Sequence, residues 1–133
     1  MRSSLVFLFF FMQFMVACSS QNFIRKGFPS KFHLDASTDI LETLNGNTFV
    51  AHVKGINPLF GRALTIKVRG LDVESITNED SGKASTGFRQ WHKFRRILKE
   101  SNTVEIRNLE RGKDGFWIWA DLYLDGEILQ SSY

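Results

Sequence analysis

From residue 38 onward, apolar and polar positions alternate in short runs separated by turn residues. Residues 40–44 read as a strand, closed by Asn45-Gly46, a strong turn signal. Residues 48–53 follow, with Phe49, Ala51 and Val53 alternating against Thr48, Val50 and His52. Residues 55–61 contain Pro58 and read as a loop. Leu64, Ile66 and Val68 then alternate with Thr65, Lys67 and Arg69 in a third strand that stops at Gly70. After a polar loop at 74–82, residues 83–99 place Ala84, Phe88, Trp91, Phe94, Ile97 and Leu98 at helical spacing. Val104 and Ile106 mark a fourth strand. In a fifth, Phe116, Ile118, Ala120, Leu122 and Leu124 alternate with Trp117, Trp119, Asp121, Tyr123 and Asp125. Asp125-Gly126 is a hairpin-type turn, and residues 128–133 are a short end.

Three strands, one helix and two strands predict a mainly β protein. The expected architecture is a small closed five-stranded barrel with a helix packed on it, the barrel type that binds oligonucleotides and sugars. Residues 36–133 are assigned to this domain.

The chain has 133 residues with a net charge of +3, 43% apolar and 23% charged. This is a globular composition with room for one domain, which excludes a two-domain enzyme with a separate dinucleotide-binding unit. One cysteine excludes an internal disulfide and a multi-cysteine zinc site. The charge excess is too small to announce nucleic-acid binding by itself.

The N-terminus carries an address. Arg2 precedes an apolar run over residues 5–17, broken by Gln13. At 1.5 Å per residue it spans roughly 20 Å, short of the ~30 Å of a bilayer core, so it reads as a secretory signal rather than a membrane span. The run ends Met15-Val16-Ala17-Cys18 and resembles the lipobox of bacterial lipoproteins. That resemblance implies a signal peptide over 1–17, lipid attachment at Cys18 and a place in the bacterial cell envelope, periplasm-facing or at the surface. Residues 18–35, polar and basic with Gly27 and Pro29, read as a tether.

Three short signatures then stand in a meaningful order: Leu44-Asn45-Gly46-Asn47-Thr48, Lys67-Val68-Arg69-Gly70-Leu71-Asp72, and Asp114-Gly115-Phe116 through Asp125-Gly126. Over residues 38–130 they resemble the thermonuclease family, the staphylococcal-nuclease-like fold. The resemblance implies a five-stranded barrel and calcium-dependent phosphodiester hydrolysis. In that chemistry two carboxylates hold a hard cation, a Glu handles water and two Arg grip the phosphate.

Laid on that pattern, Asn47 stands where the first metal-binding Asp is expected, and Asp72 keeps the second. Glu74 occupies the family's Pro position, one residue before the expected Glu, where Ser75 stands. The first Arg falls on Lys67, with Arg69 two residues along on the same strand face. The second falls on Trp117. Loss of one transition-state donor costs about 10²–10³ in rate, and Arg to Lys at a bidentate site is not conservative. The expected protein is therefore a degenerate member, a lipid-anchored module without catalysis and without a cofactor. It would bind single-stranded nucleic acid or an envelope protein through Lys67, Arg69, Trp117, Trp119 and Tyr123. The alternative is a nuclease with a rebuilt site: Asp72, Asn47 and Glu74 holding calcium, Lys67 and Arg69 the phosphate. A third reading is a structural lipoprotein, since fold does not imply function.

For the Trp117, Trp119 and Tyr123 row two placements remain open. The rings are covered by the helix or tether, or they form a stacking platform for bases or sugar rings. His33, His52 and His92 lack metal-ligand spacing, and Glu79 and Asp80 read as surface loop charges.

Overall fold

The computed structural model describes residues 31–57, 61–114 and 116–131. Residues 1–30, which hold the stretch read as a signal segment, Cys18 and most of the stretch read as a tether, lie outside the described residues. Among the described residues, seven strands and one helix follow in chain order: β1 (Lys31–Leu34), β2 (Ile40–Asn45), β3 (Thr48–Ala51), β4 (Leu64–Val68), α1 (Ser81–Glu100), β5 (Val104–Arg111), β6 (Trp117–Leu124) and β7 (Glu127–Ile128).

The strands form one curled, open sheet in the order β1-β5-β6-β4-β3-β2, with β7 also on β6. All pairings are antiparallel except β4 with β6, which is parallel because α1 and β5 intervene in the chain. The mainly β, one-helix expectation holds; the count of five strands does not. Strand β1 lies inside the stretch read as tether, where Phe32 and Leu34 point inward and Lys31 and His33 outward. A four-residue alternation is too short to stand out in sequence. The two residues of β7 close the hairpin at Asp125-Gly126, both at positive φ.

Alternation sets the core. Phe49, Ala51, Leu64, Ile66, Val68, Val104, Ile106, Ile118, Ala120 and Leu122 turn inward and meet Phe94 and Leu98 of α1. The rings of Phe49 and Phe94 lie 6.1 Å apart at 52°. Full burial of each large side chain contributes about 1.5–3 kcal/mol of transfer free energy. Phe116, expected on this inner face, is instead 91% exposed. It precedes the first residue of β6, so no ladder bond fixes its direction.

Helix α1 starts two residues earlier than its apolar period indicates. Asp80, read as a loop charge, is its N-cap: the side chain accepts from the backbone N–H of Gly82 at 2.8 Å and Lys83 at 3.3 Å. Phe88 is half exposed and packs on Trp91 and His92 rather than in the core.

Candidate ligand-binding face

Two places gather the residues singled out by sequence. The first is where the β2–β3 turn meets the chain leaving β4. Asn45 Oδ1 accepts from the Asn47 N–H at 3.0 Å, which fixes the turn. Asn47 Nδ2 donates to the Leu71 carbonyl at 3.2 Å, one residue before Asp72. Its Oδ1 accepts from the Thr48 hydroxyl at 2.9 Å. Gly46 lies so close to Val73 and Gln90 that a Cβ would meet Val73 Cγ1 at 3.0 Å. The Glu74 N–H donates to Gln90 Oε1 at 2.9 Å, holding the loop on α1.

The fold thus brings the Asn47 turn beside the Asp72 stretch. Calcium takes six to eight oxygens, whereas Asn47 spends its amide on protein partners. Among the described residues no group of three or more His, Cys, Asp or Glu side chains could hold a metal ion.

The second place is the outer face of β4, β6 and β5. The parallel register sets Lys67 beside Trp119 and Thr65 beside Trp117. Lys67 Nζ lies over both indoles, 4.2 Å from the Trp117 ring centroid and 5.7 Å from that of Trp119. Both tryptophans are half-buried. The neighbouring strand's ammonium rests on them. The Trp117 Nε1–H is buried without a hydrogen-bond partner, so packing rather than a polar tie holds this ring. Four residues beyond Trp119, the Arg107 guanidinium stands 3.9 Å from the centre of the Tyr123 ring.

Ion pairs fill the space between the rings. The Arg69 N–H extends the ladder to the Ala120 carbonyl, which aims its side chain at this face. Its guanidinium bonds Asp121 at 3.0 Å and Glu110 at 3.1 Å. Asn108 adds a 2.7 Å bond to Asp121. On β5, Glu105 takes a hydrogen bond from Arg107, ion pairs with Lys31 and lies 3.3 Å from His33 Nδ1. Burial works to raise the pKa of Asp121 and of Glu105. The bonds from Asn108 and Arg69 outweigh it in the first, and the hydrogen bond and charge of Arg107, with the charge of Lys31, in the second. Both carboxyls titrate below their usual range.

No protein-family model matches this sequence, and no curated protein matches it either.

Of the residues expected to act, Lys67, Arg69, Trp117, Trp119 and Tyr123 share the outer face. Asn47, Asp72 and Glu74 lie around the turn contact with α1. Sequence reading missed Glu105, Arg107, Glu110 and Asp121 as a network. Its signal was the outward parity of Asp121 and Tyr123 on β6, but the matching positions of β5 are displaced by a bulge. Asn108, at φ +52°, breaks the period there and hides that the strand runs on to Arg111.

Proposed function

We propose that this chain is a non-catalytic binding module of the staphylococcal-nuclease barrel type, held at the bacterial envelope through Cys18, and that its ligand is single-stranded nucleic acid. The observation that carries the reading is the Lys67 ammonium spread over Trp117 and Trp119 on one sheet face. A flat ring accepts any base by stacking, and an adjacent ammonium suits the phosphate between bases. A lysine resting on a half-buried indole gains about 0.5–2 kcal/mol, which a phosphate on the same ammonium can offset.

Two observations speak for lost catalysis. Arg69, the nearest match to a phosphate-gripping Arg, is engaged by two carboxylates. Asn47, at a metal-carboxylate position, is tied to Leu71 and Thr48.

The test is titration of a labelled oligothymidylate with the full chain, with calcium and with chelator. Binding without cleavage supports the reading. Absence of binding leaves the barrel as a scaffold lipoprotein and sinks it. The calcium-dependent nuclease remains a second reading because the Asn47–Leu71 bond sets the turn beside Asp72. It requires cutting that needs calcium and fails in Asp72→Ala.

A further inference from the structure

We propose that the outer face holds single-stranded nucleic acid through ring stacking and one unneutralised ammonium, so that binding depends only weakly on salt. This deepens the nucleic-acid reading above and rests on it.

The charges on the face nearly cancel. Lys31, Lys67, Arg69 and Arg107 supply four positive charges; Glu105, Glu110 and Asp121 supply three negative ones. Arg69 is held by two carboxylates at 3.0 and 3.1 Å. Lys31 and Arg107 both turn to Glu105. Among the described residues Lys67 has no carboxylate within ion-pair distance; its neighbours are the two indoles.

A cation already neutralised by a carboxylate has few counterions left to release. A phosphate arriving at Arg69 would also have to displace Asp121 or Glu110 and crowd a like charge. Lys67 therefore supplies the one phosphate contact that releases a counterion. For single strands the slope of log K against log salt is about −0.7 per contact. One contact predicts about a threefold loss of affinity between 50 and 200 mM salt.

The rings carry the rest. Trp117 and Trp119 lie two residues apart on one strand, about 6.6 Å, and Tyr123 lies about 13 Å further on. That row matches an unstacked segment of about three or four nucleotides, with stacking contributing about 1–3 kcal/mol per base. The ligand class is a short, splayed single strand recognised by its rings rather than by its phosphates.

The experiment is fluorescence anisotropy of a labelled eight-nucleotide oligothymidylate with the full chain from 50 to 300 mM KCl, repeated with Glu110→Gln and Lys67→Gln. The Glu110 side chain is 73% exposed, so its replacement leaves the fold intact, as circular dichroism checks. The expected result is a slope near −0.7 in the wild type, steeper in Glu110→Gln, where Arg69 keeps Asp121 alone, and near zero in Lys67→Gln. A wild-type affinity that falls tenfold or more between 50 and 200 mM overturns the charge argument while leaving the nucleic-acid reading in place. No binding at any salt overturns that reading and this proposal with it.

Discussion

A side-chain carbon on Gly87 would stand 2.5 Å from the carbonyl oxygen of Glu74. Helix α1 and the loop leaving β4 are in backbone contact at this point, and the Glu74–Gln90 hydrogen bond locks the approach. Ala is normally favoured over Gly inside a helix by about 1 kcal/mol. Here Gly87→Ala reverses that sign, because the obstacle is backbone and cannot swing away. Denaturant unfolding is expected to show a net loss of stability, with chemical-shift changes concentrated in residues 72–76. A gain in stability would show that the loop is not pressed on the helix.

The core depends on the pairing of Phe49 with Phe94, both fully buried. Phe49→Ala is expected to cost about 3–5 kcal/mol in urea unfolding. Phe116→Ala removes a ring of the same size that is exposed and is expected to stay within about 0.5 kcal/mol of wild type. The contrast separates the observed position of Phe116 from the inward one that its parity suggests.

Acid should unfold the protein through three carboxyls. The backbone N–H of Asp35 and the Lys54 ammonium lower the pKa of Asp39 against the effect of its burial. Glu105 and Asp121 are lowered as well. Each binds its proton less readily folded than unfolded. Their contribution is complete above the unfolded carboxylate range, about 4, and is lost as pH falls through the lower folded values. Melting temperature measured from pH 7 to pH 2 is expected to drop below about pH 4. Glu105→Gln should flatten that drop while lowering the melting temperature at pH 7.

Stacking makes its own demand. Trp119→Ala is expected to weaken oligothymidylate binding by about 1–3 kcal/mol, roughly 5- to 150-fold, with stability changed far less because the ring is half-buried. Phe88→Ala, which removes a half-exposed ring on the helix, should leave binding unchanged. Equal losses in the two variants would move the ligand away from the β4–β6 face.

The sequence made the inner faces of β3, β4 and β6 legible because residues such as Phe49, Ile66 and Ala120 alternate cleanly with polar neighbours. It also made the Asp125-Gly126 turn legible, since positive φ at both positions demands such a pair. Strand β5 was half hidden: Glu105 is buried among apolar neighbours, and Asn108 throws the alternation out of step. Lys67, Trp117 and Trp119 could be placed on faces from parity alone. Their convergence could not, because it depends on the parallel register of β4 and β6 across a helix and a whole strand. The ion pairs of Arg69 are equally long-range, reaching 52 residues to Asp121 and 41 to Glu110.

The most direct measurement is a single titration of labelled oligothymidylate with the full chain, run once with millimolar calcium and once with chelator, followed by electrophoresis of the recovered strand. The account predicts the same binding curve in both, weakened in Lys67→Gln and Trp119→Ala, and an intact strand. A strand cut in calcium and spared in chelator, with cutting abolished in Asp72→Ala, would contradict it.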